Sequence, residues 1–288
     1  MKVFIIILAI ILGLGIFLFF SQKDTVLVDD FEENTSNYIL ENDSEVNLSS
    51  YIFENDSAQN KAVIWQFDFN TKQWLASGNP PSCLDPFVIY SPVDVRLADG
   101  VLYPGQVRGG DYKPHGGFRF DSLKNNEVNV YASFDASLVK AARHLESGEI
   151  QYSLYFINDC GLMYKLDHLR ELTDKFEDIL DKVPMGAEGD SRTTEINPSI
   201  FISKGEHIAT KVGIESNKNV FVDFGLYDLR EKNGVDYDAE LRAQYQSVDE
   251  YGAYALCWLE NLEEEDKNIV KSLPGADGVS GKTSDYCK

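Results

Sequence analysis

The chain has 288 residues, 43% of them hydrophobic and 12% aromatic, enough apolar material for one large domain or two small ones. Its formal net charge of -21 argues against a nucleic-acid partner, which needs a basic footprint, and against docking of the body on anionic lipid head groups. With 15 Tyr and 17 Phe, the interior is expected to be β-rich.

Lys2 precedes an unbroken apolar run from Val3 to Phe20, close to the ~20 residues a helix needs to cross a hydrocarbon core. A cleaved signal peptide has a shorter apolar region ending in a small-residue site. Here the run ends Leu18-Phe19-Phe20-Ser21-Gln22, with no Ala-x-Ala and no following cysteine placed to carry a lipid. The sequence therefore predicts an uncleaved membrane anchor over residues 1–21, with the acidic body outside the cytoplasm. Residues 22–60 are acidic, rich in Asn and Ser, and read as a disordered stalk. The stalk holds N-x-S/T matches at Asn34, Asn42, Asn47 and Asn55, whereas Pro198 disqualifies Asn197.

The body, residues 61–235, opens with a strand candidate from Ala62 to Phe69 and a proline-bearing loop from Gly78 to Cys83. Further strand candidates are Phe87–Tyr90, Val93–Leu97, Phe118–Asp121, Glu127–Ala132, Val139–Arg143, Gln151–Ile157 and Gly161–Leu166. Leu169, Leu172, Phe176, Ile179, Leu180 and Val183 repeat at helical spacing and predict one inserted helix. A polar loop, Gly186–Asn197, separates it from strands at Ser199–Ser203, His207–Val212 and Val220–Leu226. Residues 236–288 read as a helical extension, with a capping box Ser247-x-x-Glu250 ahead of Tyr251 to Trp258. Gly275 to Thr283 imitates a phosphate loop but has Ala276 where that motif needs glycine, and no strand before it.

Cys83, Cys160, Cys257 and Cys287 form an even set with no C-x-x-C spacing, which suits disulfides outside the cytoplasm better than a structural zinc. Three pairings are possible. Cys257 with Cys287 is preferred because it ties down the C-terminus, and Cys83 with Cys160 then follows.

The stretch Pro114-His115-Gly116-Gly117-Phe118-Arg119-Phe120-Asp121 places His115, Gly117, Arg119 and Asp121 on one face of a strand. His144 and His207 have no matched partner and read as surface histidines.

From Leu102 to Arg230 the order of segments resembles the lysostaphin/LytM-type zinc metallopeptidases. Tyr112 to Phe120 looks like the family's H-x-G-hydrophobic-D strand, and Val128 to Val139 like its V-x-A-P-x-D-G-x-V hairpin. Met163-Tyr164-Lys165-Leu166-Asp167-His168-Leu169 looks like V-x-Y-x-H-L, and Ser203 to Ala209 like V-K-x-G-Q-x-I-G. Asn219 to Gly225 falls where H-L-H-F is expected. The fold this implies is a mainly β, antiparallel sheet or barrel-sandwich, the duplicated hybrid motif, with the inserted helix and the helical C-terminal extension.

The resemblance also implies a zinc held by the His and Asp of H-x-x-x-D and the last His of H-x-H. His115 stands at the first position, Arg119 at the second and Asp223 at the third. Phe221 replaces the first His of H-x-H, and His168 keeps the helper position. A guanidinium cannot ligate a metal. The expectation is therefore an Arg119–Asp223 ion pair closing the vacated position, with no metal and no cofactor. A rebuilt zinc site from His115, Asp121 and Asp223, with His168 at hand, is the alternative.

The functional expectation is a membrane-anchored, non-catalytic binding or regulatory module. It would present a groove of His115, Arg119, Asp121, His168 and Asp223 to a cell-envelope glycan or peptide, or to an envelope protein. An active zinc metallohydrolase with altered ligands, using His168, and a purely structural envelope protein are the other readings.

Overall fold

The computed structural model describes residues 63–245 and 247–288. The predicted anchor and stalk lie outside the described residues. Among the described residues no helix is long and apolar enough to cross a membrane.

The chain begins with a two-stranded hairpin, β1 (Trp65–Asp68) and β2 (Gln73–Ala76). Its turn is held by Asp68, whose carboxylate accepts from the Asn70 amide at 2.8 Å and the Thr71 hydroxyl at 3.0 Å. Two of the next expected strands do not form. Phe87–Tyr90 contributes one bridge at Ile89, and Val95–Leu97 is a 3-10 turn capped by Asp94. Short strands follow: β3 (Gly100–Leu102), β4 (Gln106–Arg108), β5 (Asp111–Lys113), β6 (Gly116–Arg119) and β7 (Glu127–Tyr131).

The longest strands form a meander of β8 (Ala136–Glu146), β9 (Glu149–Ile157) and β10 (Leu162–Leu172). Ser147 and Gly148 both take positive φ, 54° and 75°, in the tight turn between β8 and β9. Positive φ at both central residues is the turn geometry that matches the twist of a hairpin. Helix α1 (Asp174–Leu180) comes next, then β11 (Met185–Glu188), β12 (Thr194–Ile202), β13 (His207–Val212) and β14 (Phe221–Asp228).

Ten strands share one sheet with a main order β11-β8-β9-β10-β14-β6-β3. Most pairings are antiparallel, but β11 runs parallel to β8, so the sheet is mixed, and no barrel closes. The sheet forks at β10. Leu162 to Asp167 pair with β14, whereas Leu169 to Leu172 pair with β13, which in turn pairs with β7. At the same point three steps along β10, Leu166 to Leu169, match two along β9, Leu154 to Tyr152. An extra residue of this kind is a bulge, which bends and twists a strand. His168 occupies it, with a φ of 61°.

The fork corrects the expected helix. Leu169 and Leu172 belong to β10, and the helix starts only at Asp174. Register shifts between Leu169 and Leu172 let both leucines reach the core, which imitates helical spacing. The expected polar loop Gly186–Asn197 is corrected as well, since it contains most of β11 and the start of β12. Both lie at the exposed rim of β8, where polar side chains mask the strand pattern.

The C-terminal extension is less regular than expected. It comprises α2 (Ala239–Gln244), α3 (Ser247–Glu250), 3-10 turns at Gly252–Tyr254 and Trp258–Asn261, and α4 (Glu264–Ser272). It shares the main core: Trp258 is fully buried, its ring 4.9 Å from that of Phe118 and 5.5 Å from that of Phe224. Both preferred disulfides are present, Cys83–Cys160 and Cys257–Cys287.

Candidate functional site

The site is built where β6 lies against β14. A side chain at Gly116 would strike the Leu102 carbonyl oxygen and the Trp258 indole, and one at Gly117 would strike the Val222 carbonyl oxygen. Without them β6 seats tightly between β3 and β14. The register then sets Asp223 opposite Gly117 and Phe221 opposite Arg119. Because Gly117 offers nothing to meet it, the Asp223 carboxylate is open to the residue that leads into β6, His115.

His115 Nε2 donates to Asp223 Oδ2 at 3.0 Å, and both side chains are buried. The His115 carbonyl accepts from Arg108 Nη2 at 3.0 Å, which fixes the backbone of the histidine. Burial pushes the His115 imidazole down to about 4, helped by the charge of Lys165. Burial alone would raise Asp223, but His115, His168 and Arg108 outweigh it and hold its carboxyl well below the usual range. At neutral pH the pair is thus a neutral imidazole donating to a carboxylate, the stronger of ordinary hydrogen bonds.

His168 stands on the other side of Asp223, Nε2 to Oδ2 at 3.8 Å, and its Nδ1 is 3.4 Å from Glu146 Oε2. Its ring centre is 4.3 Å from that of Phe221. His144 Nε2 lies 3.8 Å from the same Glu146 oxygen. Imidazoles and carboxylates therefore alternate in a row: His115, Asp223, His168, Glu146, His144. The expected surface position of His144 is corrected, because its side chain is buried within β8. His207 is half-buried, donates to the Ala209 carbonyl at 2.9 Å and stands apart from the row.

The expected Arg119–Asp223 pair does not form. Arg119 Nη2 donates to Asp121 Oδ1 at 2.7 Å, and its guanidinium lies 5.7 Å from the centre of the Phe221 ring. The register is the cause: Arg119 faces Phe221, and the carboxylate next along β14 is taken by His115. The Asp121 side chain is 61% exposed and pairs with Arg119. Among the described residues no three or more His, Cys, Asp or Glu side chains are arranged to hold a metal ion. The donor set therefore does not fit the zinc that the resemblance implies, since the second ligand position is a cation and the third, Asp223, is hydrogen-bonded to His115.

Two charged residues of β10 escape sequence reasoning. Lys165 Nζ is 2.7 Å from Asp167 Oδ2, and both side chains are almost fully enclosed. The Ser153 hydroxyl and the His168 amide also donate to Asp167. The available signal is opposite charges two residues apart within an apolar strand, which places both on one face. No family model, curated protein or solved structure matches this chain.

Proposed function

We propose that this protein is a non-catalytic, LytM-like binding or regulatory module, anchored to a membrane by its N-terminal segment and facing the cell envelope. On this reading it takes an envelope glycan, a peptide or a partner protein on the face around His115, Arg119, His168 and Asp223. The observation that carries the reading is convergence. Positions 115, 119, 168, 221 and 223, which the resemblance gathers at one catalytic centre, come from distant segments and meet. His115 and Asp223 share a hydrogen bond of 3.0 Å, His168 is 3.8 Å from Asp223, and Phe221 touches both His168 and Arg119. The chemistry gathered there suits recognition. Arg119 presents a guanidinium over an aromatic ring, an arrangement fit for carboxylates and planar amides, while the strongest acceptor, Asp223, is already bonded to His115.

The test is co-sedimentation with purified cell-wall polymer, run with and without zinc, for wild type and Arg119→Glu. Wild type is expected to co-sediment without releasing wall peptides, and Arg119→Glu to lose at least about four-fifths of the bound fraction. Stoichiometric zinc in protein purified without chelator, together with peptide release, would favour the metallohydrolase. Indifference of binding to Arg119→Glu would leave a structural role.

A further inference from the structure

Beside His115 the sheet and the C-terminal extension line an open cleft of about 360 Å³, a size that suits a small ligand. Tyr155 and Tyr227 rise from the sheet, Tyr245 and Tyr251 close it from the extension, and Lys165 and His115 reach it from below. In a chain of net charge -21 the charged lining is reversed, two lysines, Lys113 and Lys165, against the single acid Asp111.

Lys165 is the informative group. Its side chain is 12% exposed, its ammonium sits 5.5 Å from the centre of the Tyr155 ring, and Asp167 is its one carboxylate partner among the described residues. An ammonium carries three donors. Asp167 already accepts from Lys165, Ser153 and the His168 amide, and Lys165 keeps a donor for an acceptor arriving in the cavity. A carboxylate makes the strongest such bond. The aromatic wall shapes the rest of the ligand. The Tyr245 hydroxyl already donates to the Gly110 carbonyl, so what the wall offers is chiefly its ring faces. A hydroxylated sugar ring lays its C–H face on the aromatic rings.

We propose that this cavity binds a single hexuronic acid residue, its ring against the tyrosines and its carboxylate on Lys165. The proposal rests on the reading of the chain as a binder of envelope polymers, and adds to it a second site and a ligand class.

The experiment titrates the whole protein with D-glucuronate, D-glucose and benzoate by calorimetry. Glucuronate is expected to bind at one site, at least about tenfold more tightly than glucose or benzoate. Tyr245 is half-exposed, with its hydroxyl on the Gly110 carbonyl, so Tyr245→Ala leaves the core intact and weakens glucuronate about tenfold. Lys165→Met combined with Asp167→Asn removes the buried charges together and abolishes the preference for glucuronate over glucose. Absence of saturable glucuronate binding overturns the proposal, as does glucose or benzoate binding equally well. Unchanged affinity in Tyr245→Ala overturns it too, even if the double variant does not fold. Glucuronate binding with failed polymer co-sedimentation leaves this site standing and removes the envelope reading; the converse result removes only this site.

Discussion

His115 and Asp223 show how much one position can depend on the absence of another side chain. Gly117 leaves the space through which the carboxylate meets the imidazole, and the pair has a signature in pH. The folded His115 titrates at about 4, below its ordinary 6.5. Between those values the unfolded chain holds a proton that the folded chain lacks, so stability falls as pH is lowered through the window. The loss reaches roughly 3 kcal/mol by pH 4, at about 1.4 kcal/mol per unit. Asp223, depressed in the folded state, contributes stability above its ordinary value of 3.8 that is lost only at lower pH, so it adds no slope there. Urea unfolding of His115→Gln between pH 7 and pH 4.5 is expected to show a flatter dependence than wild type; equal slopes would remove the histidine from the account. His115, Arg119 and Asp223 were legible in the sequence as residues of one region. Their pairing was not, because alternation along a strand gives the face of a side chain while the register between strands chooses its neighbour. Lys165 and Asp167 were hidden for a related reason: two charges on one face of a strand usually point to water, whereas here they pair with each other, nearly enclosed, beside Ser153 and Tyr155 of the neighbouring strand.

At the scale of elements, β10 carries the site because it changes partners at His168. Left-handed backbone there is paid for by every residue but glycine, with asparagine the mildest exception. His168→Gly and His168→Ala both delete the ring and differ only in tolerance of that backbone. The glycine variant is expected to be the more stable by about 1 kcal/mol in thermal unfolding, the usual size of such a difference. Equal midpoints would mean that the strand does not need left-handed backbone at this residue. The same bulge explains which elements could be read in advance. Gln151–Ile157 and His207–Val212 are short apolar-rich runs between turn residues and were legible. The leucines of β10 were not, because a strand that shifts register loses its period of two and borrows the look of a helix. β11 and the first half of β12 were missed for want of a buried face, as most of their residues lie exposed.

For the molecule as a whole, the disulfides fix what the sheet leaves loose. Cys83–Cys160 joins the loop that follows the β1–β2 hairpin to the β9–β10 turn across 77 residues, and Cys257–Cys287 closes 30 residues of the extension. Loop-closure entropy gives the longer link about 4.5 kcal/mol and the shorter about 3.6. Replacing Cys83 and Cys160 by alanine is therefore expected to lower the guanidinium midpoint further than replacing Cys257 and Cys287. The opposite order would mean that the shorter link, which holds the tail beside the Tyr112–Tyr237–Tyr286 hydroxyl cluster, does more than close a loop. The branched sheet bears on how such a protein changes over generations. An insertion beside β7 alters one limb only, because the limb of β13 and β7 and the limb of β14, β6 and β3 do not share a register and meet at β10. New loops can accumulate beside β7 while the other limb, which carries Asp223 on β14 and His115 ahead of β6, is insulated from the shift. Sequence can then drift widely there beside a small unchanging centre.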